Sequence, residues 1–194
     1  MRSKPFICQI AGMAVTGKDE LKRAVCDAID RHGDEIIELG ETILHHPETG
    51  FNEAKTAALV ADTMRQIGLD PQTGLALTGV KGRLKGNTAG PRLAFIGELD
   101  SLRTSDHPLA DPHTGAAHSC GHNAQIAGML GVAMGLSAIG ASEHLAGELV
   151  FFAVPAEEFI DVEERLHRKV EKSNSCSASP SSSPRAISTT STWQ

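Results

Sequence analysis

Two apolar stretches decide the fold: RLAFIGELD at residues 92–100 and ELVFFAVPAEE at residues 148–158. The apolar part of each has the length of a buried strand, and acidic residues follow it directly. Between them, a polar loop over residues 103–117 leads into a segment over residues 122–139 that is rich in Ala, Gly, Met and Leu. This composition predicts a tightly packed helix. Strand, loop, helix and strand in this order predict a βαβ unit whose two strands are parallel.

The segments that precede this unit are helical or extended. Apolar residues recur at helical spacing over residues 19–44, which predicts a helix loosened at Gly33, and over residues 53–67, where Gly68 ends a second helix. Residues 75–85 alternate and contain glycines, as in a strand and hairpin. Together these elements predict an α/β fold with helices on both faces of a mostly parallel sheet.

Composition excludes several functional classes. The 194 residues carry a formal charge of −6 and only 4% aromatic side chains, so neither a basic nucleic-acid surface nor a base-stacking platform is indicated. No apolar run approaches the roughly 18 residues of a membrane span, and the N-terminus does not have the pattern of a signal peptide. Cys8, Cys26, Cys120 and Cys176 show no paired spacing. Free thiols in a reducing, cytoplasmic compartment are therefore expected, without nucleic-acid or membrane partners.

The apolar pattern ends near residue 161, so we predict a catalytic segment over residues 1–161 and a separate tail over residues 162–194. From residue 173 onward the tail is Ser-rich, which composition alone assigns to disorder. A one-base frame shift converts TCN serine codons into codons for Phe, Leu, Ile or Val. One permitted back-translation of residues 172–194 then reads EIEFLFGKPELIAPGHFDDVDMA. We hypothesise a frameshifted continuation of a longer enzyme, which fails if the coding DNA lacks the required wobble bases.

The most informative local motif is HSCGHN at residues 118–123. Cys120 and His122 stand two residues apart where the loop meets the helix, and Gly121 between them allows the tight bend that would turn both toward one metal. Thiolate and imidazole are good zinc ligands. Spacing alone is a weak signal, and the alternative is a pair of incidental surface histidines beside a buried cysteine.

Carboxylates at the strand ends strengthen the metal hypothesis. Glu157 and Glu158 follow the second apolar stretch, and Glu98 and Asp100 follow the first. Open α/β sheets collect their ligands at the carboxyl ends of their strands, so these residues should meet Cys120 and its neighbours in one crevice. Of two adjacent carboxylates, one can bind a cation while the other takes a proton from water. The competing interpretation of the Glu pair is a solvated helix N-terminus.

Four motifs in order resemble the aminoacylase and N-acyl-amino-acid amidohydrolase family of co-catalytic metallopeptidases and its aminobenzoyl-glutamate hydrolase-like relatives. They are HHPETGFNE at residues 45–53, GELDSL at residues 97–102, HSCGHN at residues 118–123 and VPAEE at residues 154–158. The resemblance covers residues 20–161, the N-terminal part of the family's length. It implies a zinc-peptidase-like fold with a mixed sheet, of which this chain is an incomplete catalytic domain.

The resemblance also implies roles for individual residues. Cys120, His122 and Glu158 match family metal ligands, Glu157 matches the general base, and Asp100 matches the acidic residue that orients the site. Glu98 is a weaker acidic candidate. The sequence itself leaves His118 open between a supporting residue and an extra ligand. The implied reaction is hydrolysis of an amide bond of an N-acyl amino acid or small peptide-like substrate by metal-activated water.

The cofactor and the alternatives follow from the same residues. Zinc is favoured, as one or two divalent ions, with manganese, cobalt or nickel as other occupants of a mixed N/O/S site. Family members are often homodimeric, but their dimerisation domain is missing here. The truncated chain is expected to be weakly active or inactive. Two alternatives are a hydrolase with Cys120 as nucleophile and His118 or His122 as base, and a non-catalytic metal-binding fragment.

Overall fold

A computed structural model describes residues 17–158 of the chain. The expectations for residues 162–194, for Cys8 and for Cys176 lie outside the described residues. The helices are α1 (Lys18–Arg31), α2 (Gly33–Leu44), α3 (Ala54–Gln66) and α4 (His122–Ala138), with one 3₁₀ turn at Ala141–Glu143. The strands are β1 (Gln72–Leu75), β2 (Gly79–Lys85), β3 (Thr88–Glu98), β4 (Leu102–Arg103), β5 (Ala116–Ala117) and β6 (Ala146–Val154).

The central sheet has the strand order β1-β2-β6-β3 and is mixed. Strands β3 and β6 are parallel neighbours, joined through α4, which confirms the predicted βαβ unit. Strands β1 and β2 form the predicted hairpin, and β2 runs antiparallel to β6. The mixed α/β sheet is therefore confirmed, and within the described residues parallel pairing in this sheet is confined to β3 and β6. The short strands β4 and β5 pair separately within the polar loop.

Two helices pack on the same face of this sheet. Gly82 of β2 pairs with Phe151 of β6, and Gly97 of β3 pairs with the residue two further along β6, so both glycines point to one face. A Cβ at Gly82 would lie 2.9 Å from the Met64 sulfur of α3, and one at Gly97 would lie 3.0 Å from Ile126 of α4. Glycine at these two positions lets the helices approach the sheet closely.

The opposite face of the sheet carries Ile96 of β3, which pairs with Phe152 of β6 and is 60% exposed. Helices on both faces were expected from the sequence, but the described helices α3 and α4 pack on one face. Apolar residues on both faces of β3 and β6 had indicated that helices bury both faces. An apolar pattern shows that a face is buried, but it does not show which segment of the chain buries it.

Helices α1 and α2 pack on α4. The predicted helix over residues 19–44 is broken at His32, whose φ of −94° and ψ of 8° separate the two helices. The break lets Ile29 of α1 pack near Gly135 and Ile36 of α2 pack near Gly131. Helix α4 is thus covered by helices and by the sheet, which explains why it is apolar on all sides. Among residues 17–158, no helix is both long and apolar enough to cross a membrane.

Candidate metal centre

The start of α4 places one histidine beneath the ends of two strands. Gly121 has a φ of +86°, a left-handed conformation that favours glycine, and the helix begins at the next residue, His122. The imidazole of His122 is only 2% exposed. This turn confirms the bend predicted at Gly121 and explains how a residue of the HSCGHN motif reaches the edge of the sheet.

The hydrogen bond at Nδ1 fixes which nitrogen of His122 faces the site. Nδ1 lies 2.8 Å from the carbonyl oxygen of Asp100, and a carbonyl oxygen can only accept. Nδ1 must therefore carry the hydrogen. In the neutral ring the lone pair is then on Nε2, which is the arrangement usual for a metal-binding histidine with a supporting acceptor.

The lone pair on Nε2 faces a group of carboxylates. Nε2 lies 2.9 Å from a Glu98 oxygen and 3.9 Å from oxygens of both Glu157 and Glu158. A lone pair and several carboxylates repel one another at these distances unless a positive charge lies between them. A proton on the ring or a metal ion can supply that charge. The chemistry of this donor set fits a divalent cation.

Two overlapping sets of three residues offer metal-ligand atoms within 4.8 Å of one another. One is Cys120, His122 and Glu158, the set that the resemblance implied. The other is Glu98, His122 and Glu157. Glu98 was the weaker candidate from the sequence, yet it is nearest to Nε2. The position of Glu98 at the end of β3 was visible in the sequence, but the direction of its side chain was not.

Asp100 is completely buried and supports the site without joining either set. Its two carboxylate oxygens accept hydrogen bonds from the backbone N–H groups of Glu157 and Glu158, at 3.1 and 2.9 Å. One of these oxygens also lies 3.4 Å from Nδ1 of His122. Asp100 therefore joins the end of β3 to the residues that follow β6 and to the start of α4, an arrangement that suits an orienting residue.

Cys120 is exposed and lies beside the acidic cluster formed by Glu98, Glu157 and Glu158. A hydrogen bond with Glu158 raises the pKa of the Cys120 thiol, and burial and the charges of Glu158, Glu157 and Glu98 act in the same direction. A divalent cation reverses this balance because it favours the thiolate. Cys26, on α1, is also a free thiol and is separate from both ligand sets.

His118 is buried near the site but is absent from both ligand sets. Neither ring nitrogen has a hydrogen-bond partner among the described residues. Burial and the proximity of His122 lower the pKa of His118 to about 4, and the charge of Asp100 opposes this shift. His118 is thus held neutral beside the cluster. The sequence left its role open between support and ligation.

The HHPETGFNE motif connects α2 to α3. His45 lies 3.5 Å from Glu41 and His46 contacts the Thr42 carbonyl oxygen, so both histidines contact the end of α2, and neither belongs to a ligand set. The carboxylate of Glu48 accepts the Lys55 and Thr56 N–H groups at the start of α3. The contacts of Glu48 and Glu53 in this motif were not predicted from the sequence. The sequence did contain one indication of a role for these two residues: each is acidic and precedes a helix, where the helix dipole favours a negative charge.

The structure is a mixed α/β sheet with a set of candidate metal-ligand residues at the carboxyl ends of two parallel strands. No protein-family model matches the chain. Thermostable carboxypeptidase 2 of Saccharolobus solfataricus is 34% identical over 129 residues, which are 64% of this chain and 32% of that protein. The N-acyl-L-amino acid amidohydrolase of Geobacillus stearothermophilus is 31% identical over 144 residues, which are 73% of this chain and 37% of that protein.

A solved structure of a metallopeptidase is also similar to this chain. The crystal structure of the YxeP protein of Bacillus subtilis, a dinuclear metal-binding peptidase of the M20 family, matches with a TM-score of 0.60 and 26% identity. The match covers 73% of this chain and 40% of that one. These comparisons confirm the resemblance to the N-terminal part of the amidohydrolase and M20 metallopeptidase family. The chain spans about a third of the length of the curated relatives it matches.

Proposed function

We propose that this chain carries the metal-binding and proton-transfer residues of an amidohydrolase that cleaves an amide bond of an N-acyl amino acid or a small peptide-like substrate. The observation that carries the proposal is His122. Its Nε2 faces three carboxylates while its Nδ1 donates to a backbone carbonyl oxygen. The names of the relatives, a carboxypeptidase and an N-acyl-L-amino acid amidohydrolase, support the class of substrate.

Cys120, His122 and Glu158 would hold the ion. Three protein ligands with a further position open to water or substrate are the pattern of catalytic zinc sites. Thiolate and imidazole together favour zinc, with manganese, cobalt or nickel as alternatives. When bound, a divalent cation makes water more acidic and polarises the carbonyl group of an amide. Glu98, whose carboxylate lies nearest to Nε2 of His122, would help to hold a second ion if one binds.

Glu157 is the proposed general base. Its side chain is 48% exposed, so that water and substrate can reach it, whereas the side chain of Glu158 is 22% exposed. In this role a Glu157 carboxylate oxygen takes a proton from the attacking water and passes it to the nitrogen of the departing amine. Asp100 holds the backbone of Glu157 in place and keeps Nδ1 of His122 toward its carbonyl oxygen.

The Cys120-nucleophile alternative receives less support from the contacts. A nucleophilic cysteine needs a lowered pKa and an adjacent base, but the hydrogen bond with Glu158 raises the pKa of Cys120. The Nδ1 of His122 is engaged with Asp100. Cys120 is an exposed free thiol, which is more usual in a reducing compartment and supports the cytoplasmic location expected from the sequence.

Turnover of N-acyl amino acids and short peptides by the zinc-loaded chain and the Glu157→Gln variant tests the proposal. Glu157→Gln should keep the metal and lose hydrolysis, in this chain or in a longer version of the protein if this chain turns over too slowly. Metal binding without hydrolysis by either version would favour a non-catalytic metal-binding fragment. Activity that survives a chelator but not a thiol reagent would favour the Cys120 nucleophile.

A further inference from the structure

Glu53 is a buried carboxylate that the proposed chemistry does not use. It is the residue immediately before α3, in the HHPETGFNE motif, and it is completely buried. We propose that Glu53 is a positioning residue for the catalytic pair: it holds Ala156 so that Glu157 and Glu158 face His122. The inference rests on the proposed function, because it assigns a task within that site.

Both oxygens of Glu53 are occupied by donors from distant parts of the chain. Oε1 accepts the backbone N–H of Ala156 at 2.9 Å, and Oε2 accepts the hydroxyl of Thr78 at 2.6 Å. Thr78 immediately precedes β2, and Ala156 follows β6. The carboxylate therefore fastens the residues that follow β6 to the start of α3 and to β2. Its place at the N-terminus of α3 is also favourable for a carboxylate, because of the helix dipole.

The residue that Glu53 holds has a strained backbone. Ala156 has a φ of +52°, in the left-handed region that residues with a side chain seldom adopt. Such a conformation persists only where the surrounding structure imposes it. The strain lies directly before Glu157, so relaxation of Ala156 would redirect the chain at the proposed base Glu157 and the proposed metal ligand Glu158.

Three consecutive backbone N–H groups share one kind of anchor. Ala156 donates to Glu53, whereas Glu157 and Glu158 both donate to Asp100. Both acceptors are carboxylates with no exposed surface. Asp100 anchors the two glutamates from the side of β3, and Glu53 anchors the residue before them from the side of α3. The turn is thus fixed at both ends, which the proposed metal ligand Glu158 and base Glu157 require.

Amide hydrogen exchange of the metal-free chain, followed by NMR, tests the anchor directly, and zinc titration tests its consequence. Glu53→Ala should accelerate exchange at Ala156, Glu157 and Glu158 relative to Phe151 by about tenfold or more, the loss expected for one hydrogen bond to a charged group. Zinc affinity should fall by about 10- to 100-fold, as for other supporting residues of metal sites. Glu53→Gln keeps an acceptor for Ala156 and should restore most of both.

Glu48→Ala is the matched control. Glu48 belongs to the same motif and caps the same helix, but its side chain contacts Lys55 and Thr56 instead of the turn after β6. The control should accelerate exchange at the start of α3 and leave both Ala156 and zinc affinity unchanged. Thr78→Val, which removes only the second donor to Glu53, should give a smaller acceleration at Ala156 and keeps the test decisive if Glu53→Ala does not fold.

Two results would overturn the proposal. One is exchange at Ala156–Glu158 that responds to neither Glu53→Ala nor Thr78→Val more than it does to Glu48→Ala. The other is faster exchange in Glu53→Ala with zinc affinity equal to that of the unmodified chain. Failure of the unmodified chain to bind zinc would instead contradict the proposed function, while the exchange measurement would still decide whether Glu53 anchors the turn.

Discussion

The two ends of strands β3 and β6 carry opposite kinds of charge arrangement. At the amino ends, Arg92 lies 2.6 Å and Arg83 3.8 Å from the Glu148 carboxylate, so the two arginines share one acidic partner. At the carboxyl ends, four carboxylates surround one histidine, His122, which is buried. Charged residues alone do not make a cation site. At the carboxyl ends, several negative charges converge on one histidine and are held by buried side chains, and this arrangement favours the binding of a cation.

The largest expected effect comes from removing the residue that both ligand sets share. His122→Ala should abolish measurable zinc binding, because outer-shell changes alone reduce affinity about 10- to 100-fold and this one removes a ligand. Isothermal titration against a competing chelator measures the loss. His144→Ala, which removes an exposed histidine after the 3₁₀ turn, is the control and should bind zinc normally. Equal affinity in the two variants would contradict the assignment.

The second-largest expected effect is the loss of folding stability in acid that follows from the buried, neutral His118. The folded chain holds His118 neutral with a pKa of about 4, against about 6.5 when unfolded. Between these values the unfolded chain binds more protons, so the free energy of unfolding should decrease by about 3 kcal/mol as pH falls from 6.5 to 4. This contribution is complete above pH 6.5. Denaturant unfolding of the metal-free chain across that range measures it.

A matched pair of variants isolates this contribution. His118→Leu cannot titrate at that position and should show a pH profile that is flatter by the same amount, whereas His113→Gln, at an exposed loop position, should follow the unmodified chain. Identical profiles for His118→Leu and the unmodified chain would show that His118 is not held neutral by the fold.

A smaller effect is expected from Asp100→Asn. The amide group replaces one of two oxygens that accept N–H groups from the turn, so a donor then faces a donor. We expect a loss of about 2 kcal/mol in the free energy of unfolding and a fall of about 10- to 100-fold in zinc affinity. Asp70→Asn, at an exposed position, provides the isosteric control. If Asp100→Asn matches this control in both the free energy of unfolding and zinc affinity, Asp100 does not support the metal site.

The smallest effect belongs to the amino ends of the strands. Arg92 is 70% exposed, and exposed ion pairs contribute at most about 1 kcal/mol. Arg92→Ala should therefore change the midpoint of denaturant unfolding only slightly and leave zinc affinity unaltered. A fall in zinc affinity as large as that of Asp100→Asn would mean that the two ends of the strands are not independent.

The sequence predicted the elements that carry strong apolar patterns. The β3–α4–β6 unit followed from two apolar runs and the segment between them, and Gly121 indicated the turn that places His122. The break at His32 was expected one residue later, because helical periodicity continues across it. The one-sided packing of α3 and α4 depends on which segments meet the sheet, and no local pattern contains that information.

For the site, position along the chain was informative but side-chain direction was not. The acidic residues at strand ends predicted a shared crevice, and the structure brings Glu98, Glu157 and Glu158 to one nitrogen of His122. The hydrogen bond from the Ala156 N–H group to the Glu53 carboxylate joins residues that are 103 positions apart. A contact of that separation arises from the assembled sheet and leaves no periodic signal in the sequence.

A cobalt(II) titration of the 194-residue chain under reducing conditions, read by absorption, tests the metal centre most directly. We expect one tight site with thiolate-to-cobalt charge-transfer absorption that disappears in Cys120→Ser and persists in Cys26→Ser. We also expect His122→Ala to remove the tight site altogether. Cobalt binding that survives both Cys120→Ser and His122→Ala, or the absence of tight binding in the unmodified chain, would contradict the proposed metal centre.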